Sequence, residues 1–289
     1  MYDFVKVYVE KVSTSDLLKN DCLEFKSQFS RSTGEIEPWQ IADYKNLRIK
    51  VSPTQKVYFS GSVHKYFNGG EHNSNDYSFS NYRHTLEMLS DELGIDSKRC
   101  WIQNLETGVN LRDLSSPTST ILDSCIMTKR KRFKDQVLDN GNYRIAKLSQ
   151  YSLKAYDKAL QYNLSEEVFR WEIKNNKAQR INKDYQYTLK DLCRSDVRMK
   201  LGNALVKSWQ DVLFVDSRLI EKSAPDERFL VAQWSNPIYW ENLAKTSKGS
   251  LKNRYYRELD KCNKWTGQRS TLYNEITEAI TDKVGTFYN

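Results

Sequence analysis

The sequence has little of what marks several large protein classes. Its five cysteines are widely spaced, odd in number and form no Cys-x-x-Cys pair, so neither a zinc ribbon nor a disulfide framework is predicted. No stretch approaches the roughly 20 consecutive apolar residues of a membrane-spanning helix. The opening residues MYDFVKVYVEK lack the basic segment and apolar core of a secretory signal. We therefore expect a soluble protein of a reducing cytoplasm.

What the sequence does contain is charge and aromatic residues. Among 289 residues, Lys and Arg total 45 against 37 Asp and Glu, which leaves a formal net charge of +8. A basic balance of this kind favours a polyanionic partner such as nucleic acid. Hydrophobic residues make up 39% of the chain and aromatics 12%, so a folded core is expected rather than disorder. The length suits one large domain or two modest ones.

The order of patterns predicts an α+β fold, with an antiparallel or mixed sheet, helices on one face of it and a mainly helical C-terminal region. Strand-like segments fill the first two thirds: residues 4–10, 47–51, 56–65, 101–111, 151–158 and 168–174. A helix is predicted from Ser80, with Gly94 as its C-terminal cap, and a shorter one over residues 119–127. The dipeptide Asn140-Gly141 after Asp139 predicts a hairpin turn. After about residue 177 the sequence becomes rich in charged residues and its apolar residues follow a helical spacing. We therefore predict a sheet domain over 1–178 and a helical region over 179–289.

Four of these strands alternate between apolar and polar residues. Neighbouring residues of a strand point to opposite faces, so one face can belong to the core and the other can carry a site. In residues 101–111 the apolar set is Trp101, Leu105, Val109 and Leu111. If the four strands share one sheet, its uncovered face carries Glu106, Glu172, His64, Tyr156, Lys154, Lys158, Arg170 and Lys174.

This set of side chains contains the parts of metal-assisted phosphoryl transfer. Carboxylates and an imidazole can hold Mg²⁺ or Mn²⁺, which polarises a phosphate and offsets the charge of the transition state. A tyrosine has an ordinary pKa near 10, so it needs a nearby cation to act as a nucleophile near neutral pH. The simpler interpretation is a solvated sheet face whose carboxylates pair with lysines across the strands.

Four segments resemble the rolling-circle replication initiators of plasmids and phages: GSVHKYFNGG (61–70), NLETGVNL (104–111), YSLKAYDKALQY (151–162) and FRWEIKN (169–175). The chain is similar to the gene II/X family of phage and plasmid replication proteins, and its strand order is similar to that of the trans-acting plasmid Rep family. The resemblance covers about residues 1–180. Many such initiators have two histidines flanking one hydrophobic residue, and this chain, with His64, His72 and His84 only, has no such pair.

The resemblance implies a role for each residue of this face. Tyr156 would be the nicking nucleophile, Lys158 its basic partner, and Glu106 and Glu172 acidic metal ligands, with His64 as a further ligand. The implied activity is a metal-dependent, site-specific DNA endonuclease and strand transferase that forms a covalent phosphotyrosine and later rejoins the strands. Its implied partners are origin DNA, single- and double-stranded, a host helicase and polymerase of a bacterial cytoplasm, and a second copy in a homodimer.

Further cations are predicted to contact DNA phosphates. They are Lys154, Arg170 and Lys174 on the strands, the run Lys129, Arg130, Lys131 and Arg132, and Lys252, Arg254 and Arg257 on a C-terminal helix. A solvated charge run and an exposed helix without a ligand are the alternatives.

Two alternatives to this function or its nucleophile stay open, and a third is disfavoured. Tyr162 is a second candidate nucleophile, because it lies past the predicted strand end. A non-catalytic protein could bind single strands by stacking on a basic, tyrosine-bearing sheet. A tyrosine recombinase would need a spaced Arg–Lys–His–Arg set before its tyrosine, and the sequence has none.

Overall fold

The computed structural model describes residues 1–29, 31–138, 141–245 and 250–288. Within these ranges the chain packs into two compact units. Unit 1 consists of Met1–Gly108, Lys174–Asn203 and Thr286–Asn289, and unit 2 consists of Val109–Ile173 and Ala204–Gly285. Both units are discontinuous in sequence. The predicted division at residue 178 concerned where the catalytic and DNA-binding roles lie, and it stays a prediction.

The strands are β1 (Tyr2–Val9), β2 (Lys26–Phe29), β3 (Ile36–Tyr44), β4 (Leu47–Val51), β5 (Val57–Ser62), β6 (Cys100–Leu111), β7 (Cys125–Thr128), β8 (Lys131–Arg132), β9 (Lys134–Leu138), β10 (Gly141–Lys147), β11 (Tyr151–Asp157), β12 (Phe169–Asn175) and β13 (Val212–Phe214). The α-helices are α1 (Thr14–Leu18), α2 (Val63–Phe67), α3 (Phe79–Leu93), α4 (Thr118–Ser124), α5 (Lys158–Tyr162), α6 (Ser195–Gln210), α7 (Pro225–Trp234), α8 (Pro237–Lys245), α9 (Ser250–Arg269) and α10 (Thr271–Tyr288).

The fold is α+β, as predicted, with extensive antiparallel sheet and a mainly helical C-terminal region formed by α6 to α10. Each strand pair with an assigned register in the described ranges is antiparallel. Among the described residues, no helix is both long and apolar enough to cross a membrane. The predicted Asp139-Asn140-Gly141 turn falls on residues 139 and 140, which lie outside the described residues. On either side of it β9 and β10 pair, with Gly141 opposite Leu138.

Unit 1 is a sheet covered by helices on one face. Its strands follow the hydrogen-bonded order β2-β3-β4-β5-β1-β6. One face supplies apolar side chains to the core, where they pack with residues of α1, α2 and α3: Val5, Val7, Ile49, Val57, Phe59, Leu17, Tyr66, Tyr82 and Leu89. The opposite face carries Lys6, Tyr8, Arg48 and Tyr58, which are exposed or half-buried.

Helix α3 forms where its end signals predict it. The Ser78 hydroxyl accepts a hydrogen bond from the Asn81 backbone N–H, and Gly94 ends the helix with φ of 66°. Serine supplies an acceptor to the first turn, and glycine adopts the left-handed conformation without a Cβ clash. The buried residues Tyr82, Leu86 and Leu89 repeat at helical spacing, so local sequence determines both the ends and the buried face of this helix.

Two strand predictions in unit 1 are wrong at their ends. The strand predicted over 56–65 stops at Ser62, whose hydroxyl caps α2, so His64 lies on a short helix instead of a sheet face. In β6 the alternation assigned Trp101 to the core set, but Trp101 is half-buried and opposite Tyr8. An irregularity between Lys6 and Val7 in the β1–β6 pairing shifts the register. A bulge of this kind switches the face of the strand residues on one side of it relative to those on the other.

Gly61 on β5 lies so close to the backbone of Asn46 and Leu47 that a larger residue would clash there. A Cβ on Gly61 would overlap the carbonyl oxygen of Asn46 and lie 3.0 Å from Leu47 Cα. We expect Gly61→Ala to lower the free energy of unfolding by roughly 1–3 kcal/mol, the usual cost of overpacking, as measured by chemical denaturation. The control is Gly267→Ala in α9, where a Cβ meets no atom within 4 Å. This control should gain about 0.5–1 kcal/mol. Equal midpoints for Gly61→Ala and wild type would contradict the close approach.

Unit 2 combines strands with a cluster of helices. Its strands follow the orders β12-β11-β10-β9 and β13-β7-β8. Helices α7, α8 and α9 pack on β7 and β13 through a core that includes Met127, Leu213, Trp234, Trp240 and Trp265. The segment predicted as one short helix over 119–127 divides into α4 and strand β7. The β-branched residues Ile126 and Thr128 favour the strand.

Candidate active site

A tyrosine, a carboxylate and three cations lie together on β11, on β12 and at the start of α5 in unit 2. The Tyr156 hydroxyl donates to Glu172 Oε2 at 3.2 Å, and Lys158 Nζ lies 3.4 Å from the same hydroxyl oxygen. Lys154 Nζ contacts Glu172 Oε1 at 2.8 Å, and Arg170 Nε donates to Oε2 at 2.8 Å. We call these five residues the tyrosine cluster.

Strand geometry places these side chains on one face. Lys154 and Tyr156 are two residues apart on β11, and Arg170 and Glu172 are two residues apart on β12, so each pair shares a face. Lys158 was predicted as the last residue of the strand over 151–158, but it begins helix α5 instead. The Asp157 carboxylate caps this helix by accepting from the Leu160 backbone N–H at 2.9 Å. This strand-to-helix junction holds Lys158 beside the phenol.

The sheet face that carries the tyrosine cluster is much less exposed than the solvated face predicted for it. Glu172 and Arg170 are 1% and 0% exposed, because β12 is buried on both faces. Lys158, at the start of α5, is also only 1% exposed. Tyr156 remains half-buried. Since Arg170 has no exposed surface, and its Nη1 donates to Asn110 Oδ1 at 2.9 Å, the structure assigns it to holding Glu172 instead of the predicted contact with DNA.

The charge of Glu172 is stabilised by its neighbours. Burial alone would raise the pKa of this carboxyl, but the positive charges of Lys154 and Arg170 and their hydrogen bonds lower it well below its usual range. Glu172 therefore stays ionised near neutral pH. It therefore accepts the hydrogen bond of the Tyr156 hydroxyl at neutral pH. Because its pKa is low, it is a weak base and would remove the phenol's proton poorly.

The depressed pKa of Glu172 predicts a pH dependence of stability. A group whose folded pKa lies below its unfolded value of about 4.3 contributes stability that is complete above that value and is lost as pH falls toward the folded pKa. We expect the difference in unfolding free energy between wild type and Glu172→Gln to be constant from pH 7 to about pH 5 and to shrink below about pH 4. Denaturant titrations at several pH values measure it. A difference that stays constant down to about pH 3 would contradict the lowered pKa.

Two further tyrosines lie beside the tyrosine cluster. Tyr143 is opposite Tyr156 in the β10–β11 pair, with the ring centroids 6.4 Å apart, and its hydroxyl donates to Gln136 at 2.5 Å. Lys158 Nζ lies 5.1 Å from the ring centroid of Tyr162, the last residue of α5. Tyr162 therefore keeps its place as the second candidate nucleophile.

The other predicted metal ligands belong to unit 1 and have their own contacts there. Lys174 Nζ lies 2.7 Å from Glu106 Oε1; Glu106 is buried and Lys174 half-buried. His64 is fully buried. Its Nε2 is 2.6 Å from Asn75 Oδ1, and its ring stacks on Tyr77 with centroids 4.5 Å apart.

These contacts do not fit a divalent cation at the predicted ligands. Both oxygens of Glu172 bind cationic side chains, and Glu106 binds a lysine, so Mg²⁺ or Mn²⁺ would have to displace an ammonium or a guanidinium. Within the described ranges, no group of three or more His, Cys, Asp or Glu side chains is placed to hold a metal ion. The metal predicted from the sequence stays a prediction.

The predicted basic run forms part of a cleft in unit 2. This basic cleft, of about 720 Å³, is lined by Arg130, Lys131, Arg132, Lys134, Lys147 and Lys245, with Glu241 as the acidic side chain. Arg130 lies over the Tyr255 ring, 5.2 Å from its centroid, and donates to the Ala244 carbonyl. Lys129 turns instead to Asp211, at 3.2 Å. The sequence also placed Lys134 in the basic run and Lys245 on a cationic helix, but it did not single out Lys147, which the pairing of β10 with β9 brings beside the run.

The C-terminal cations predicted to contact DNA lie on α9. Arg254 and Arg257 are exposed. Lys252 is on the same helix, and its side chain is outside the described part of the structure. Their DNA contacts stay predictions.

Comparisons with known proteins leave the family of this chain open. No family model matches it, and no curated protein matches it. Among solved structures, a rolling circle replication initiator protein from Geobacillus stearothermophilus aligns with a TM-score of 0.43 and 11% sequence identity, over 85% of this chain and 94% of that one. A TM-score at this level does not establish a shared fold.

Proposed function

We propose that this chain cuts one strand of DNA with Tyr156 as the nucleophile and remains joined to the cut strand through a phosphotyrosine. The observation that carries this proposal is the phenolic oxygen of Tyr156, which lies 3.2 Å from Glu172 and 3.4 Å from the Lys158 ammonium. A phenol that must lose its proton benefits from a fixed positive charge beside its oxygen. Tyr143, on the neighbouring strand, donates to a neutral amide instead.

The proposed step is a transesterification. The Tyr156 oxygen attacks a backbone phosphorus, a new oxygen–phosphorus bond forms, and the bond from phosphorus to the 3′ oxygen breaks. The phenol loses one proton and the leaving 3′ oxygen gains one, so protons balance and no oxidant or energy source is needed. Because one phosphodiester replaces another, the reaction can run backward, and rejoining follows by attack of a 3′ hydroxyl on the phosphotyrosine.

Each neighbour of Tyr156 has a distinct part in this step. The Lys158 ammonium offsets the charge of the phenolate, and its burial strengthens that interaction because little water screens it. Glu172 orients the hydroxyl by accepting its hydrogen bond. Arg170 positions Glu172 from the interior, and Lys154 does so from the half-exposed side. With both cations in place, the carboxylate adds no uncompensated negative charge that would repel a phosphate.

The basic cleft supports a nucleic-acid substrate. Six of its lining side chains are cations and one is a carboxylate, which suits a phosphate backbone. In the biological role that the sequence resemblance implies, the substrate is a plasmid or phage origin. A host helicase and polymerase would then extend from the free 3′ end, and a homodimer would be the acting form.

The wild-type protein tests the proposal directly. It is incubated with supercoiled plasmid that carries the DNA flanking its own gene, in Mg²⁺, in Mn²⁺ and in EDTA. The expected result is relaxed circles and a protein–DNA adduct that survives denaturation, with the modified tyrosine located by peptide mass spectrometry. An adduct on a residue other than tyrosine, or cutting without any adduct, would overturn the proposal. An adduct that forms equally in EDTA would keep the nucleophile and remove the predicted metal.

A further inference from the structure

A second surface, in unit 1, combines aromatic rings with cations on the sheet face opposite the helices. We call it the aromatic face, and its members are Phe4, Lys6, Tyr8, Trp39, Arg48, Lys50 and Tyr58. All but Tyr8 line a cleft of about 470 Å³ together with Glu37, Ile41, Phe59 and Ser60. None of these residues belongs to the tyrosine cluster or to the basic cleft.

Strand pairing places the rings side by side. Tyr8 is opposite Tyr58 in the β1–β5 pair, with ring centroids 5.4 Å apart. The Trp39 ring on β3 reaches across β4 to within 6.1 Å of the Tyr58 ring. All three rings are half-buried, whereas their strand neighbours Val7, Val57 and Phe59 point into the core. The rings therefore form a row whose outer surfaces remain open to a ligand.

Cations flank this row. Lys6 is exposed on β1, between Phe4 and Tyr8, and Lys50 on β4 is opposite Tyr58. Arg48 binds Asp43 through two hydrogen bonds of 2.7 and 3.0 Å, and this contact lowers the pKa of the Asp43 carboxyl. Asp43 offsets the charge of Arg48, and Glu37 also lines the cleft, so Lys6 and Lys50 are the cations that leave the cleft with a net positive charge.

We infer that the aromatic face binds single-stranded nucleic acid, with bases stacked on Trp39 and Tyr58 and phosphates held by Lys6 and Lys50. Open aromatic rings interleaved with cations match the alternation of bases and phosphates along a single strand. A duplex hides its base faces inside the helix, so it could use the lysines but not the rings. The inference goes beyond the proposed cutting function, since it needs neither Tyr156 nor cleavage.

The test is equilibrium binding of a labelled oligo(dT) of roughly 16 nucleotides, about one site length, by fluorescence anisotropy at low salt. We expect Trp39→Ala to weaken binding roughly 5- to 150-fold, which corresponds to the loss of one base stack. A duplex of the same length should bind more weakly to wild type and be insensitive to Trp39→Ala.

Matched controls separate this surface from general effects. Tyr185→Ala removes an exposed aromatic ring of unit 1 outside the aromatic face, and Lys98→Ala removes an exposed lysine of unit 1. Both should bind as wild type does. The assay measures binding without cleavage, so a failed cutting function would not affect this result.

The lysines give a second readout that does not depend on replacing a packed ring. Each of Lys6→Ala and Lys50→Ala should lower the slope of log affinity against log salt by about 0.7, the value for one phosphate contact to a single strand. The inference is overturned if folded Trp39→Ala and the two lysine variants bind oligo(dT) as wild type does. It is equally overturned if wild type does not bind oligo(dT) at low salt.

Discussion

Tyr156→Phe is expected to abolish both nicking and the covalent protein–DNA adduct, with a fall in rate on the order of 10⁴-fold or more, as for other covalent nucleophiles. Phenylalanine keeps the ring, so its packing opposite Tyr143 is preserved, but it has no oxygen to attack phosphorus. The hydrogen bond to Glu172 is also lost. Denaturing gels of labelled DNA measure both the cut strand and the adduct.

Two neighbouring tyrosines provide controls for this result. Tyr143→Phe removes a hydroxyl that donates to Gln136 on β9, and it should retain the adduct. Tyr162→Phe removes the other phenol near Lys158, and it should retain the adduct as well. If Tyr156→Phe still forms the adduct while Tyr162→Phe does not, the assignment of the nucleophile is wrong and Tyr162 takes its place.

Arg170→Met is expected to cause the largest loss of stability, about 3–5 kcal/mol, because it removes one partner of a buried ion pair. Arg170 and Glu172 are 0% and 1% exposed. Without the guanidinium, the carboxylate keeps only Lys154 as a charge partner from the tyrosine cluster, and Asn110 loses the donor to its side-chain oxygen. Chemical denaturation measures the loss, and the midpoint of the variant should fall well below that of wild type.

Comparison variants separate the buried charge from general damage. The double variant Arg170→Met/Glu172→Gln removes both charges and should recover part of the lost stability, since no buried carboxylate is left without its guanidinium. Arg194→Met breaks an exposed pair with Asp196 at 2.8 Å and should leave the midpoint unchanged. An Arg170→Met protein as stable as wild type would show that Glu172 does not need this partner.

Local patterns predicted much of the fold. Capping residues and helical spacing predicted α3 to within one residue at its start, because both signals act within a few residues of each other. Period-two alternation predicted β11 and β12 to within one residue at each end. Alternation could not predict the bulge in the β1–β6 pairing, because a bulge depends on the partner strand. The sequence therefore assigned Trp101 to the wrong face of β6.

The tyrosine cluster was predictable in membership and unpredictable in environment. Spacing of two residues indicated that Tyr156 and Lys154 share a face, and likewise Arg170 and Glu172. Nothing in the alternation indicated that β12 would be buried on both faces, because a polar strand face is normally solvated. His64 was predicted beside them on a strand, but the Ser62 cap begins a helix there.

The sequence by itself determined the α+β class, the main strands and the residue types available for phosphate chemistry, because these depend on composition and on spacing along one segment. Only the tertiary structure decided that Arg170 and Lys154 neutralise Glu172 and that Lys147 joins the basic cleft. It also decided that Trp39 lies beside Tyr58. Each of these contacts joins residues on different strands or depends on burial, and both are set by packing between segments that are distant in sequence.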